Sequence, residues 1–274
     1  MEYERIIRPK KGLVSINFSE LWRYRELFWF LGLRDVMIRY KQAVLGVLWA
    51  VIEPIMIMIV FSVIFGKVAK LPSDGLPYPL LTFAAVLPWN LFSKTLAQGG
   101  NSLVNNAQMI SKVYFPRLIM PAGAVIAGCI DFAIAFVILI VMMFWYGVIP
   151  TIAVVFLPLF FLLAVFTSLG AGLWFSALNV MYRDVKHMIP FIIRLGLYVS
   201  PVGFLSSVVP EQYRWIYSLN PMVGVIDGFR WCLLGGKIPP YWPGLWISVI
   251  FTICLVVSGA FYFRRTERIF ADVI

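Results

Sequence analysis

Two observations predict an all-α integral membrane protein with six transmembrane helices. The 274 residues are 61% hydrophobic and only 13% charged, and their mean hydropathy is +0.88, whereas soluble domains carry about 25% charged residues. Six apolar segments are also close to the length of about 20 residues that crosses a hydrocarbon core. The composition therefore excludes a soluble enzyme, a disordered chain, a coiled coil and a disulfide-rich secreted scaffold.

The predicted spans divide the chain into three regions. Residues 1–43 form a cytoplasmic N-terminal segment, residues 44–263 the transmembrane domain, and residues 264–274 a cytoplasmic tail. A tight break at Gly147–Pro150 joins the third and fourth spans into a hairpin. The six spans are residues 44–66, 78–97, 118–146, 151–180, 189–205 and 242–263.

The distribution of basic residues predicts the orientation of these spans. The chain carries 23 Lys and Arg against 13 Asp and Glu, which gives a net charge of +10. With six crossings, 16 basic residues fall on the side of the termini and 5 on the other side. Lys94 and Arg194 lie within spans near the ends on the side of the termini, so their side chains are expected to extend to the membrane interface. Basic residues are retained in the cytoplasm, so both termini are predicted to be cytoplasmic. Because the charges lie between apolar runs and not in one stripe, nucleic-acid binding is not expected.

Two stretches outside the spans are also predicted to contact the membrane lipids. Residues from Asn17 to Gly32 form one apolar helical face flanked by tryptophans, which predicts an amphipathic helix in the cytoplasmic interface. A second short basic helix is expected over residues 34–41. On the outer side, residues 206–241 combine helix start and stop signals with large apolar side chains, which predicts two short re-entrant or interfacial helices before the last span. The apolar face consists of Leu21, Tyr24, Phe28 and Leu31, and the tryptophans are Trp22 and Trp29.

Two acidic residues lie deep within predicted spans, where ionisable groups are costly and usually face a cavity or another helix. Glu53 is in the first span, directly before Pro54, and Asp131 is near the middle of the third span. One interpretation is a proton relay or a substrate contact. The other is an interhelical hydrogen bond or, for Glu53, a contact with the backbone group that Pro54 leaves unpaired.

The chain lacks the sequence signatures of catalysis and of cofactor binding. It contains no GxxxxGKS or GxxxxGKT motif, His187 is its sole histidine, and its three cysteines form no CxxC pair. The sequence therefore predicts a protein that is not an enzyme and that has no metal, cofactor or disulfide of its own.

Several short motifs occur in an order that is typical of one family. The motifs are Leu48-Trp49 with Pro54, Lys112–Arg117 (KVYFPR), Tyr182–Val185 (YRDV), Ser200–Val202 (SPV), and Asn220-Pro221 followed by Phe229-Arg230. With the predicted topology, the chain from about Arg39 to Arg264 resembles the membrane subunit of type-2 ABC exporters for polysaccharides. These are the O-antigen, capsule and teichoic-acid permeases of bacteria.

The resemblance implies a subunit of the bacterial inner membrane that pairs with a copy of itself and with two separate ABC ATPase subunits, which bind ATP and Mg. The implied substrate is a lipid-linked glycan, with O-antigen as the first expectation. The loops that dock the ATPase would include Ser111, Lys112, Tyr114, Arg117, Tyr182, Arg183 and Asp184. The cytoplasmic gate, which would meet the lipid pyrophosphate, would include Arg34, Arg39 and Lys41. Aromatic side chains that could stack on sugar rings along the path are Trp49, Trp89, Phe92 and Tyr198.

Two other functions are compatible with the same sequence. A type-2 ABC exporter of drugs or small lipids would have the same topology. A proton-coupled secondary transporter would use Glu53 and Asp131 instead of an ATPase. A neighbouring reading frame with a P-loop, among glycosyltransferase genes, would favour polysaccharide export over both.

Overall fold

The computed structural model describes residues 18–41, 46–267 and 270, with the side chains of Phe18, Arg39, Gly46 and Val47 left aside. Within these residues all regular secondary structure is helical. The segment before residue 18, the predicted start of the first span and most of the tail lie outside the described residues. The helices are α1 (Phe18–Arg23), α2 (Arg25–Lys41), α3 (Gly46–Phe61), α4 (Tyr78–Asn105), α5 (Ala107–Lys112), α6 (Ile119–Trp145), α7 (Leu157–Met181), α8 (Val185–Val199), α9 (Glu211–Tyr217), α10 (Pro221–Leu233) and α11 (Trp242–Thr266).

Five helical segments of the described chain are long and apolar enough to cross a membrane, and they confirm five of the predicted spans. The first continues α3 through a π-helix over Ser62–Val68, and the fourth joins a 3-10 turn over Ile152–Phe156 to α7. The π-helix was not predicted. The five segments are Leu48–Val68, Tyr78–Asn105, Ile119–Trp145, Ile152–Met181 and Trp242–Thr266.

The remaining predicted span, residues 189–205, corresponds to a shorter helix. Helix α8 has 15 residues and ends at Val199, after which Ser200 has extended backbone angles (φ −80°, ψ 154°). Pro201 follows, and the residue before a proline avoids the helical region. The last part of this predicted span is therefore not helical.

Contacts between loops define two ends of the bundle, which are named inner and outer after the orientation predicted from the basic residues. The outer end holds the loops that follow the first, third and fifth predicted spans. Asp74 of the first loop and Ser206 of the last loop line one cavity. Gly235, also in the last loop, is close to the loop after the third span, because an added Cβ there would lie 3.4 Å from the Ile149 carbonyl oxygen. The inner end holds α2, the loop after α4 and the loop after α7. Helix α8 therefore leads from the loop after α7 at the inner end to Ser206 at the outer end.

Helix α4 lies at the centre of the bundle and packs against α3, α6, α7, α8 and α10. Helix α7 also packs against α11 through small residues: an added Cβ at Gly259 would lie only 2.8 Å from the Gly170 carbonyl oxygen. On the other side of α7, an added Cβ at Gly99 of α4 would lie 3.6 Å from the Gly172 Cα. Glycines at these positions allow close helix contact without a hydrophobic driving force, as is typical within membranes.

The N-terminal helices pack against the inner end of the bundle. The predicted apolar face is confirmed, since Leu31 is buried and Leu21, Tyr24 and Phe28 pack around the same apolar cluster, while Trp22 and Trp29 are exposed. The helix is interrupted at Tyr24, between α1 and α2. It was predicted to be divided near residues 33 and 34, but α2 continues through these residues. An added Cβ at Gly32 would lie 2.6 Å from Ile126, so this glycine lets α2 pack closely against α6.

Candidate functional site

An ion-pair cluster joins the two deep acidic residues through one lysine. The Lys94 ammonium lies 2.9 Å from a Glu53 carboxylate oxygen and 3.2 Å from an Asp131 carboxylate oxygen. The Tyr40 hydroxyl donates a hydrogen bond to the other oxygen of Asp131. The cluster therefore links α2, α3, α4 and α6. Lys94 was expected to reach towards the membrane interface, but it is directed at the two acids instead.

Burial determines how strongly each member of this cluster depends on its partners. The Asp131 side chain is 5% exposed, the Lys94 side chain 20% and the Glu53 side chain 49%. A charge that is removed from water needs a partner of opposite sign and hydrogen bonds to its remaining atoms. Asp131 has both, from Lys94 and Tyr40. The geometry thus supports the interhelical interpretation of the deep acids, although the sequence spacing did not indicate Lys94 as the shared partner.

The residues predicted for the cytoplasmic gate lie in α2 and differ in their surroundings. The Arg34 guanidinium donates to Asp35 at 2.9 Å and to the Asn106 side-chain oxygen at 2.9 Å. Arg34 therefore connects α2 to the residue that follows α4. Lys41 is exposed at the end of α2, and the side chain of Arg39 lies outside the described part of the chain.

The loop after α4, predicted to dock an ATPase, contains both exposed and anchored residues. Ser111, Lys112 and Tyr114 are exposed, and the Tyr114 hydroxyl donates to Glu20 at 3.2 Å. Partial burial, with the nearby Glu20 carboxylate as a second cause, raises the pKa of Tyr114. The hydroxyl therefore stays protonated at neutral pH and remains a donor. This contact connects the loop to α1.

Arg117, at the end of the same loop, is directed into the protein. Its guanidinium donates to the Glu267 backbone carbonyl and lies 6.0 Å from the centre of the Phe270 ring. Its backbone N–H donates to the Glu267 carboxylate at 3.4 Å. Arg117 thus attaches the loop to the end of α11, a contact that the docking prediction did not include.

The second predicted docking loop lies at the same end of the bundle. Tyr182, Arg183 and Asp184 are all exposed. Just before them, the Asn179 side-chain amide donates to the Gly100 carbonyl at 2.9 Å and to the Asn101 side-chain oxygen at 3.0 Å. These bonds hold the inner ends of α7 and α4 together. The loop after α4 and the loop after α7 therefore extend from two helices that contact each other directly.

The four predicted path aromatics fall into two groups. Trp89 is 3% exposed and packs against α8, where an added Cβ at Gly196 would lie 2.7 Å from its ring. Phe92 is partly buried, with its ring centroid 5.4 Å from that of Trp89. Trp49 and Tyr198, in contrast, are exposed on α3 and α8. Trp49 and Tyr198 are therefore the more accessible of the four to a ligand.

One important residue, Arg230, entered the sequence argument only as part of a motif. Its side chain is fully buried, and its nitrogen atoms donate to the carbonyls of Val202 at 3.1 Å, Phe204 at 2.8 Å and Leu81 at 3.2 Å. Nearby, the Tyr78 hydroxyl donates to the Gly203 carbonyl at 2.6 Å. Side chains of α10 and α4 thus provide the hydrogen bonds that the non-helical backbone after α8 lacks. Such backbone is tolerated at membrane depth only when protein groups satisfy it.

Comparisons with known proteins agree with the resemblance noted in the motifs. The family model described as ABC-2 type transporter matches residues 26–234. The chain is 28% identical over 244 residues to the O-antigen export system permease protein RfbA of Klebsiella pneumoniae, across 88% of this chain and 92% of the relative. It is 27% identical to the protein of the same description from Myxococcus xanthus, across 93% and 98%. It is 24% identical to the polysialic acid transport protein KpsM of Escherichia coli, across 86% and 92%. The family match covers most of the chain, which therefore belongs to the ABC-2 type transporter family.

Proposed function

We propose that this chain is the transmembrane subunit of an ATP-driven exporter that moves a lipid-linked polysaccharide, and O-antigen in particular, out of the cytoplasm. The observation that carries the proposal is the similarity, over at least 86% of the chain, to relatives named for O-antigen export and polysialic acid transport. These names favour polysaccharide over a drug or small lipid. The subunit would act in the bacterial inner membrane as a homodimer with two separate ATPase subunits.

The proposed topology has six crossings with both termini in the cytoplasm. Helix α8 supplies the additional crossing, because it connects the inner end to the outer end of the bundle, and its non-helical continuation is satisfied by Arg230 and Tyr78. The excess of basic residues at the inner end supports the orientation. Helices α9 and α10 would then lie at the outer leaflet, as the apolar character of their segment predicts.

A homodimer is proposed because the described helices of one subunit fill the axis of the bundle and leave no path for a glycan there. Most of α4 is buried in the centre of the bundle, among α6, α7 and α10. A sugar chain in hydrocarbon would leave many hydroxyls unsatisfied, at several kcal/mol each. We place the path between two copies, along the exposed faces of α3 and α8 that carry Trp49 and Tyr198.

Coupling to the ATPase would operate through the inner loops. Lys112, Tyr114 and the Tyr182–Asp184 loop are exposed and available for docking. Movement of either loop would reach α4 and α7 together through the Asn179 hydrogen bonds. A shift of α2 would strain the contacts of Arg34 with Asn106 and of Tyr40 with Asp131. We therefore infer that α2 is the gate that ATP binding displaces, with Lys41 available to the pyrophosphate of the lipid carrier.

The experiment is co-expression with an ABC ATPase subunit from the same organism, followed by purification and an ATPase assay with lipid-linked glycan. We expect the ATPase to co-purify and the glycan to stimulate hydrolysis. Lys112→Glu and Arg183→Glu should abolish co-purification, whereas Lys237→Glu, a matched charge reversal at the exposed outer end, should not. Glycan export in cells that lack the ATPase would contradict the proposal.

The proton-coupled alternative can be tested in the same system. The contacts of Glu53 and Asp131 with Lys94 give both acids a structural role without a relay. Export that depends on ATP and survives in folded Glu53→Gln and Asp131→Asn proteins would exclude proton coupling through these residues. Loss of export in both variants, with intact folding and intact ATPase binding, would favour it.

A further inference from the structure

An apolar groove follows the seam between α7 and α11 on the outside of the bundle. It consists of two cavities, with volumes of about 770 Å³ nearer the outer end and about 560 Å³ nearer the inner end. Both cavities are lined by Ile253 and Val257, so they adjoin each other near the middle of α11. The Thr252 hydroxyl in the outer part lies 2.9 Å from the Thr167 hydroxyl, to which it is hydrogen-bonded. The groove therefore offers an apolar surface.

Aromatic side chains lie at both ends of this groove. Trp231, Trp242 and Trp246 line the outer part. Trp174 and Tyr262 line the inner part, with their ring centroids 4.6 Å apart. Tryptophan and tyrosine are enriched at the two interfaces of a membrane. From Trp246 to Tyr262, α11 rises by about 24 Å, which is close to the hydrocarbon thickness of about 30 Å. The groove therefore extends through the hydrocarbon core from one interface to the other.

A basic residue lies directly beyond the inner end of the groove. Arg265 is exposed, and it follows Phe261 and Tyr262 of the groove by four and three residues. This spacing places Arg265 on the groove side of α11, one helical turn further inward. Among the described residues Arg265 has no ion-pair or hydrogen-bond partner, whereas its neighbour Arg264 pairs with Glu267 at 2.9 Å. The charge of Arg265 is therefore available to an anion at the membrane interface.

The groove suits a lipid chain better than it suits another transmembrane helix. Helices in a membrane approach each other closely through small residues. The small residues of this seam are already used between α7 and α11 themselves, since an added Cβ at Gly170 would lie 2.9 Å from the Val256 nitrogen. The second copy of the chain is proposed to lie against α3 and α8, which leaves the groove open to the bilayer. The exposed residues of the groove are branched or aromatic, and they include Leu162, Phe166, Ile253 and Val257.

We propose that the groove binds an anionic phospholipid, with an acyl chain between α7 and α11 and the phosphate at Arg265. The Arg265 guanidinium donates to the phosphate oxygens, which is a strong charge-assisted contact. An anionic headgroup is preferred to a zwitterionic one, because the ammonium of a zwitterionic headgroup would repel Arg265. With the proposed topology, the lipid belongs to the cytoplasmic leaflet, whose surface is negatively charged. The inference goes beyond the proposed function and requires only that α7 and α11 cross a membrane.

The headgroup is tested by native mass spectrometry of the purified full chain, titrated with phosphatidylglycerol or phosphatidylcholine of identical acyl chains. We expect phosphatidylglycerol to bind about fivefold more tightly, which is the ratio that one basic residue near an anionic lipid provides. Arg265→Gln should remove this preference, whereas Lys186→Gln, at an exposed position of α8 near the inner end, should preserve it. Inorganic phosphate at millimolar concentration should not displace the lipid, because it has no chain to occupy the groove.

The acyl chain is tested by filling the groove where its two parts meet. Val257→Trp should weaken the binding of both lipids about threefold through lost van der Waals contacts, and it should leave their ratio unchanged. Val137→Trp on α6 is the matched control, since Val137 is 60% exposed and Val257 is 63% exposed. This control should bind both lipids like the parent protein. Phosphatidylglycerol with a photoreactive acyl chain should cross-link to α7 and α11.

Four results would overturn the inference of a phospholipid site. They are equal affinity for the two lipids, equal effects of Arg265→Gln and Lys186→Gln, equal effects of Val257→Trp and Val137→Trp, and cross-links confined to helices other than α7 and α11. Displacement of the lipid by inorganic phosphate would also contradict it, because the site would then bind the headgroup alone. None of these measurements involves ATP or a glycan, so they are separable from failure of the proposed function.

Discussion

Replacement of Lys94 by methionine tests whether the ion-pair cluster stabilises the bundle. The lysine ammonium lies 2.9 Å from Glu53 and 3.2 Å from Asp131. Methionine retains most of the apolar length of the side chain and removes the charge. The Asp131 carboxylate, which is 5% exposed, would then lose the Lys94 ammonium in a site that is almost closed to water. Tyr40 would remain as a hydrogen-bond donor to the carboxylate.

The expected magnitude follows from the different burial of the two acids. Loss of one partner from a buried ion pair costs about 3–5 kcal/mol, whereas a solvent-exposed pair contributes about 0–1 kcal/mol. Asp131 belongs to the first class, and Glu53, which is half exposed, is closer to the second. Because Tyr40 still supports Asp131, we expect the free energy of unfolding to fall by about 3 kcal/mol. Addition of Asp131→Asn should recover about 1–2 kcal/mol, because the buried charge is then absent.

The assay is reversible unfolding of the purified protein in mixed micelles, followed by tryptophan fluorescence. Arg194→Met is the matched control, since it removes a cation from a predicted span where that residue is exposed. Its effect should stay within about 0.5 kcal/mol. Equal stability of the Lys94→Met and Arg194→Met proteins would refute the reasoning, as would a double variant that is less stable than Lys94→Met.

Three further predictions test other parts of the structure. Arg230→Met should prevent recovery of folded protein, measured by fluorescence-detected size exclusion, because three carbonyls lose a donor at about 1–3 kcal/mol each; a monodisperse variant would contradict this role. Gly259→Val should lower stability by about 1–3 kcal/mol in a thermal melt, because its side chain would collide with the Gly170 carbonyl. Arg117→Ala should lower the melting temperature, because the hydrogen bond to the Glu267 carbonyl at the end of α11 is lost. Lys112→Ala, at an exposed position of the same loop, should leave the melting temperature unchanged and weaken only ATPase binding.

Long apolar segments were the most predictable part of this protein, because the bilayer requires about 20 residues of low polarity whatever their packing. The five confirmed spans differ from prediction mainly at their ends; the second extends to Asn105, where polar residues allow a helix to continue beyond the membrane. The interruption of the helix at Tyr24, whose side chain packs against the apolar cluster at the inner end, was not indicated by the hydrophobic periodicity.

The partners of buried charges were much less predictable. Glu53 and Asp131 could be recognised as costly, but their common contact with Lys94 depends on how three helices are rotated and placed. Burial of Arg230 depends in the same way on the backbone shape after α8. In each case the sequence indicates that a partner is needed, while tertiary structure determines which one. Arg117 is a related case, since its contacts with Glu267 and Phe270, which follow α11, were not indicated by its place in a predicted docking loop.

The short helix α8 also has a consequence for the order of membrane insertion during synthesis. Its 15 helical residues extend about 22 Å, and the carbonyls that follow depend on Arg230, which leaves the ribosome about 30 residues later. Until then, this segment is a poor candidate for stable insertion, because its backbone lacks partners. Residues 185–233 are therefore expected to be integrated as one unit, after α4 is already in place to receive them. Truncation of the nascent chain before Arg230 should leave α8 accessible from the aqueous side.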